Sequence, residues 1–156
     1  MTLKTGDKIP NFSLPDQKGA KITIDSQRLG RSLVIYFYPK DETAGCTRQA
    51  CAFRDHYQDF RDAGAEVIGI SSDSQESHGD FAIHHRLPFV LLSDSGGEVR
   101  KQFGVPSDLL GLLPGRVTYI VDKQGIIKYI FNSQLRIEKH ITEALRILKE
   151  LKNPPS

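Results

Sequence analysis

The clearest pattern along the chain is an apolar, β-favouring run over residues 32–38 that ends at Pro39. A run without polar alternation is typical of a strand covered on both faces of its sheet. Residues 66–71, which read EVIGIS, repeat this pattern after Gly64. Apolar residues recur at helical spacing between the two runs, at Ala50, Phe53, Tyr57 and Phe60. This order predicts a strand, a helix over residues 46–62 and a second strand, in a βαβ crossover.

Hairpins are predicted near both ends of the chain. Residues 12–14 and 21–24 alternate around a turn-like segment at 16–19, which indicates an N-terminal β-hairpin. Residues 117–121 and 126–131 flank a turn with Gly125 and predict a second hairpin. After it, one apolar stripe predicts a closing helix through Ile137, Ile141, Leu145, Leu148 and Leu151.

The segment between the crossover and the second hairpin carries weaker patterns. They predict a helix at about 76–86, a strand at 89–92, a short helix at 98–103 and a loop rich in Gly and Pro at 105–115. The whole order predicts an α/β protein of thioredoxin-like fold, with a mixed central sheet, helices on both faces and the N-terminal β-hairpin. We expect one domain over residues 1–156, with a flexible tail at 152–156 because two prolines there exclude helix.

Charge and composition exclude several classes of protein. The 21 Lys and Arg residues are interleaved with 19 Asp and Glu residues, for a net charge of +2, so no nucleic-acid partner is expected. No apolar run is long enough for a membrane span or a signal peptide, so no membrane association is expected. Two cysteines are too few for a secreted disulfide scaffold. We expect a cytoplasmic protein, and an organelle copy with its transit peptide removed would have the same sequence.

Cys46 is placed where a thiol can react. It follows the carboxyl end of the predicted central strand and falls in the first turn of the predicted helix. Unpaired N–H groups and the positive end of the helix dipole favour a thiolate there. An ordinary thiol is about 3% ionised at pH 7, so full ionisation raises its rate about 30-fold at most. Fast peroxide chemistry therefore needs a further group that stabilises charge on the departing oxygen.

Three residues are candidates for the rest of such a pocket. Arg116 opens a predicted strand and can supply a fixed cation. Thr43 can hydrogen-bond the attacked oxygen, and Pro39 can shield the pocket while turning the chain out of its strand. The spacing of these residues does not establish that they converge.

The pattern Pro39-x-x-x-Thr43-x-x-Cys46 resembles the peroxidatic motif of peroxiredoxins. The sequence is most similar to the bacterioferritin comigratory protein and peroxiredoxin Q subfamily, in which a second cysteine follows five residues later, here Cys51. The likeness covers nearly the whole chain. Further matching segments lie at residues 36–39, 41–43, 45–47, 52–55, 91–94 and 116–122. One departure is Ala44, which stands where the subfamily usually has proline.

The resemblance implies an antioxidant thiol peroxidase of the atypical 2-Cys type. In it Cys46 attacks hydrogen peroxide or an organic hydroperoxide, and Cys51 closes an intramolecular disulfide on the resulting sulfenic acid. Thioredoxin or a similar dithiol then reduces this disulfide. Pro39, Thr43 and Arg116 complete the pocket. No metal, haem, flavin or other cofactor is needed, and a monomer is expected.

The five-residue spacing of the cysteines carries a prediction of its own. In a regular α-helix, residues i and i+5 are ~8.7 Å apart at Cα and ~140° apart around the axis. A disulfide requires Cα atoms within about 7 Å. If one helix holds both cysteines, its first turns must unwind in each cycle before Cys51 reaches Cys46.

Other interpretations of the thiols stay open at this point. A thiol-disulfide oxidoreductase acting on proteins would carry Cys-x-x-Cys, whereas here four residues separate the cysteines. A non-catalytic thioredoxin-fold binding module would tolerate loss of Cys46. A zinc site is disfavoured because the histidines lack the tight ligand spacing of structural zinc, at His56, His78, His84, His85 and His140. We interpret residues 84–86 as a solvated face.

Overall fold

A computed structural model describes residues 2–108 and 113–152. The strands are β1 Phe12–Pro15, β2 Lys21–Ile24, β3 Ser32–Phe37, β4 Ala65–Ser71, β5 Val90–Ser93, β6 Ser107–Asp108, β7 Leu113–Pro114, β8 Val117–Val121 and β9 Ile127–Asn132. The helices are α1 Ala44–Asp55, α2 Tyr57–Asp62, α3 Gln75–His85, α4 Glu98–Phe103 and α5 Ile137–Lys152. The predicted flexible tail, apart from Lys152 at the end of α5, lies outside the described residues.

The main sheet has five strands in the order β5-β4-β3-β8-β9. β4 runs parallel to β3 and β5 parallel to β4, whereas β8 is antiparallel to both β3 and β9. β3 is therefore the central strand, and the crossover from β3 through α1 and α2 to β4 is a βαβ unit. The mixed sheet and the N-terminal β1-β2 hairpin are confirmed.

Alternate residues of β3 divide the core into two layers. Val34 and Tyr36 belong to a cluster with buried side chains from α1, α2, α3 and α5. Leu33, Ile35 and Phe37 belong to a second cluster with the N-terminal hairpin and α4. Because both faces of β3 are covered, its apolar residues need no polar alternation, which explains the unbroken run. The prediction of helices on both faces is confirmed.

The structure differs from the predicted elements at two places. One continuous helix was expected over residues 46–62, but α1 ends at Asp55 and α2 starts at Tyr57. Between them, His56 has φ −107 and ψ 10, outside the α-helical region, although its N–H still bonds to the carbonyl of Ala52. The expected loop at 105–115 contains the short β6-β7 pair, and residues 109–112 within it lie outside the described residues.

Candidate active site

Cys46 is the third residue of α1 and lies beyond the carboxyl end of β3. Helix α1 begins at Ala44 because Thr43 has an extended conformation, with φ −77 and ψ 154, and serves as the N-cap residue. Cys46 is 1% exposed and packs within the core cluster on the α1 side of the sheet. The first-turn placement is confirmed, but the depth of burial was not evident from the sequence.

Arg116 lies directly against the Cys46 thiol. Its Nη2 donates to Sγ of Cys46 at 3.4 Å. The sheet produces this contact, since β8 pairs with β3 so that Val117 is opposite Phe37, and Arg116 comes next to the segment leaving β3. Arg116 is 5% exposed, so its charge is held away from water. Electrostatic interactions are stronger in the protein interior than in water.

Gln49 is a third member of the site, and sequence reasoning missed it. Its side chain is fully buried one turn after Cys46, and its Oε1 accepts from Nη1 of Arg116 at 2.6 Å. Among the described residues, Nε2 of Gln49 and Nε of Arg116 are buried without a hydrogen-bond partner. Such unpaired buried donors are uncommon, and a functional role is one explanation for them.

Arg100 of α4 links the two chain segments that carry the predicted pocket residues. Its Nη2 donates to the carbonyl of Tyr38, next to Pro39, at 3.1 Å, and its Nη1 donates to the carbonyl of Gly115, next to Arg116, at 3.2 Å. Burial lowers the pKa of Arg100 below the usual range of a guanidinium. Arg100 therefore holds these two segments in register, and sequence analysis gave it no role.

Thr43 and Pro39 lie on the segment between β3 and α1. The Thr43 hydroxyl donates to the carbonyl of Lys40 at 2.7 Å, so its oxygen remains available as an acceptor. Pro39 is half-buried and is the second residue after the end of β3. Among the described residues, Arg116 hydrogen-bonds Sγ of Cys46. Thr43 and Pro39 are close to Cys46 along the chain.

A buried polar network holds the segment before α1. The carboxylate of Asp41 accepts from the hydroxyls of Tyr38 at 2.6 Å and Ser77 at 2.8 Å, and it lies 2.7 Å from Nδ1 of His78. Asp41 and His78 are almost completely buried. They are 37 positions apart, so no local pattern in the sequence indicated that they meet.

Cys51 lies on the same unbroken helix as Cys46. Its thiol is half-buried, and both cysteines are free. Since α1 is continuous from Ala44 to Asp55, helix geometry keeps the two Cα atoms ~8.7 Å apart, beyond the range of a disulfide. The structure therefore represents a dithiol state, in which one helix holds both cysteines. This is the arrangement for which unwinding of the first turns of α1 was predicted.

The sequence matches the AhpC/TSA family over residues 5–130. The chain belongs to this family. A similar AhpC/TSA relative is the chloroplastic peroxiredoxin Q of Oryza sativa subsp. japonica, 57% identical over 146 residues, which are 94% of this chain and 67% of the relative. The chloroplastic peroxiredoxin Q of Sedum lineare is 56% identical over 147 residues, 94% of this chain and 78% of the relative.

Solved structures of AhpC/TSA relatives agree over nearly the whole chain. Peroxidoxin BcpB of Mycobacterium tuberculosis is 37% identical with a TM-score of 0.87, covering 96% of this chain and 98% of the relative. Peroxiredoxin Q of Xanthomonas campestris is 29% identical with a TM-score of 0.82, covering 91% and 92%. The thioredoxin-like peroxiredoxin fold, the resemblance to peroxiredoxin Q and the thiol peroxidase activity are confirmed.

The relatives also bear on the alternative functions and on the substrate and reductant, and the helices bear on membrane association. The thiol-disulfide oxidoreductase and the non-catalytic binding module are not favoured, because the relatives are peroxiredoxins. The family implies a peroxide substrate and a reductant of the thioredoxin type. Within the described residues, no helix is both long enough and apolar enough to cross a membrane.

Proposed function

We propose that Cys46 is the peroxidatic cysteine and that Arg116 stabilises both its thiolate and the transition state of peroxide reduction. The observation that carries this proposal is the 3.4 Å hydrogen bond from Nη2 of Arg116 to Sγ of Cys46. A guanidinium held in a buried site favours the anionic form of the neighbouring sulfur. It also needs no reorientation when negative charge moves from sulfur to oxygen.

The first chemical step transfers one oxygen atom. A lone pair of the Cys46 thiolate attacks the terminal oxygen of the hydroperoxide, an S–O bond forms and the O–O bond breaks. The departing oxygen leaves with the bonding electron pair and takes up a proton, which gives water or an alcohol. Cys46 becomes a sulfenic acid. Arg116 stabilises the departing oxygen, since its Nε donor is unpaired and its charge lies against the reacting sulfur.

Thr43 and Pro39 have positioning roles in this scheme. Because the Thr43 hydroxyl already donates to Lys40, its oxygen would accept a hydrogen bond from the hydroperoxide O–H. Pro39 would limit water at the pocket. Since Cys46 is 1% exposed, the side chains around it must shift for a hydroperoxide to reach the sulfur.

Cys51 is the proposed resolving cysteine. Its thiolate attacks the sulfur of the Cys46 sulfenic acid, releases water and forms an intramolecular disulfide. Both residues lie on α1, so this step requires unwinding of the first turns of that helix. Thioredoxin or a similar dithiol would then reduce the disulfide through a mixed disulfide. We further propose that the protein acts as a monomer, in the cytoplasm or within an organelle.

The decisive experiment compares wild type with Cys46→Ser and Cys51→Ser in thioredoxin-coupled hydrogen peroxide reduction. Cys46→Ser should lose turnover. Cys51→Ser should consume one equivalent of peroxide but form no intramolecular disulfide, so intact-mass measurement should find one added oxygen and, with excess peroxide, a second. Retained turnover in Cys46→Ser would overturn the assignment of the peroxidatic cysteine.

A further inference from the structure

Two histidines of α3 converge on a glutamate that precedes the active-site helix. Nδ1 of His84 lies 2.9 Å from Oε2 of Glu42, and Nε2 of His85 lies 2.8 Å from Oε1 of the same carboxylate. The imidazole rings are 4.1 Å apart between centroids. Glu42 has a positive φ of 61, a conformation that non-glycine residues seldom adopt. These residues are called the Glu42 cluster below.

The chemistry of the Glu42 cluster matches a transition-metal site. One carboxylate oxygen and two imidazole nitrogens lie within 4.8 Å of one another. Zn²⁺ bonds of about 2.0–2.1 Å place tetrahedral ligands about 3.3 Å apart, close to the spacing that the hydrogen bonds already impose. Two imidazoles favour zinc over Mg²⁺ or Ca²⁺, which prefer oxygen ligands.

A second group of potential ligands, Asp41, Asp73 and His78, lacks these properties. The carboxylates of Asp41 and Asp73 already accept hydrogen bonds from the protein, so their oxygens are not free to bind a metal ion. Nε2 of His78 also donates to the carbonyl of Leu92 at 3.0 Å, which fixes the ring. By contrast, the Glu42 cluster is largely exposed and leaves a coordination position open to water.

We propose that Glu42, His84 and His85 bind a zinc ion that fastens the segment preceding α1 to the end of α3. In coordination, each imidazole nitrogen that contacts the carboxylate gives up its proton to solvent or to the other ring nitrogen and binds the metal through its lone pair. No electron transfer is involved. The tight ligand spacing used to judge zinc sites in the sequence could not indicate this site, because Glu42 and His84 are 42 positions apart.

The position of the Glu42 cluster gives zinc a consequence for turnover, and this part rests on the proposed function. Glu42 directly precedes Thr43, the N-cap residue of α1. Arg54, near the other end of α1, already donates to the carbonyl of His85 at 2.8 Å. Zinc would therefore fasten α1 to α3 at both ends and oppose the unwinding that brings Cys51 to Cys46. Zinc should slow disulfide formation.

Zinc affinity is measured first without thiol ligands. Isothermal titration of ZnCl₂ into a Cys46→Ser/Cys51→Ser protein should give one site, with MgCl₂ as the control ion. Adding His84→Ala or His85→Ala to that protein should weaken binding by more than the roughly 10–100-fold that loss of an outer-sphere partner costs. The matched control His56→Ala removes an exposed histidine whose ring contacts Asp59, and it should leave the affinity unchanged. Equal zinc affinity in all these proteins would overturn the site.

The effect on turnover is measured with both cysteines intact. Stopped-flow measurement of disulfide formation after one equivalent of peroxide should be severalfold slower with zinc in wild type and in His56→Ala. In the His84→Ala/His85→Ala variant, the rate should be the same with and without zinc. Persistent slowing in that variant would assign the effect to zinc on the thiols and overturn the fastening role. Failure of the proposed function has a different readout, which is retained peroxidase turnover in Cys46→Ser.

Discussion

Arg116 Nη2 donates a 3.4 Å hydrogen bond to Sγ of Cys46 across 70 positions of sequence. The contact joins the first turn of α1 to the residue before β8, two elements that the central strand β3 holds together. The same guanidinium is fixed by Gln49 through its Nη1. Reactivity at Cys46 should therefore depend on the charge of Arg116 and on the groups that hold it in place.

Replacing Arg116 should slow the attack on peroxide. Arg116→Met keeps the volume and removes the charge, and loss of one preorganised donor costs about 10²–10³ in rate. The second-order rate of Cys46 oxidation under single-turnover conditions measures this effect. Arg116→Lys should retain part of the rate, because a charge remains without the planar fork that bonds both Sγ and Gln49. An unchanged rate in Arg116→Met would remove Arg116 from the site.

Gln49 should act on the reaction through Arg116. Gln49→Met keeps a side chain of similar length but removes the acceptor of the 2.6 Å bond. Loss of a hydrogen bond to a charged group, worth about 1.5–3 kcal/mol, should reduce the oxidation rate of Cys46 by about tenfold or more. Gln58→Met is the control, since Gln58 is exposed and bonds Asp62 within α2. If both variants match wild type, Gln49 has no part in positioning Arg116.

Helix α1 should open on oxidation. In the dithiol form, amide hydrogens of residues 47–52 should be protected from exchange by the continuous helix. In the disulfide form their exchange should be much faster, because the Cα atoms of Cys46 and Cys51 must approach to within about 7 Å. Hydrogen exchange of both forms, with α5 as an internal reference, measures the difference. Equal protection would contradict the proposed unwinding.

Ala44→Pro should stabilise the dithiol form. Ala44 is the first residue of α1, where proline loses no helical hydrogen bond, and Thr43 has the extended conformation that proline requires before it. We expect a gain of about 0.4–1 kcal/mol in the free energy of unfolding, measured by urea denaturation. Ala52→Pro, in the interior of α1, is the contrasting variant and should lose ~3 kcal/mol or more. A loss of stability in Ala44→Pro would exclude this account.

His140 should make stability fall in mild acid. Burial lowers the pKa of His140 to about 4, while Nδ1 contacts the Thr118 hydroxyl and Nε2 donates to the carbonyl of Ser133. Between about pH 6.5 and 4 the unfolded chain binds a proton that the folded protein does not. The free energy of unfolding should therefore decrease as the pH falls through this window, by about 3 kcal/mol at most. Urea denaturation at several pH values should show a flatter dependence in His140→Gln than in wild type, and an equal slope in the two proteins would contradict the assignment to His140.

The sequence revealed elements wherever local patterns reflect burial. The unbroken apolar run predicted β3 because every residue of that strand after the first is buried. The apolar stripe predicted α5 because the buried residues recur on one face of that helix. The break at His56 escaped prediction since apolar residues continue at helical spacing through it, from Phe53 to Phe60. The backbone turns there without any glycine or proline to indicate it.

The candidate site was predictable only in part. Cys46, Thr43 and Pro39 share one segment, so their proximity follows from the chain itself. Arg116 required a family likeness, because strand pairing brings it across the sheet. Gln49 did carry a signal, as a polar residue at helical spacing between Cys46 and Phe53 on a buried face. Arg100 carried none, since its partners are backbone carbonyls of distant segments.

The interruption at His56 bounds how much of the molecule each redox cycle must disturb. Helix α2 keeps Phe60 fully buried in the same core cluster as Phe53 of α1, but the backbone of α2 is separated from that of α1 at His56. A rearrangement that starts at Ala44 can therefore end before α2, as a sub-global opening whose free energy is smaller than that of complete unfolding. The global stability of this enzyme can accordingly be raised through α2 or the sheet without making catalytic turnover slower.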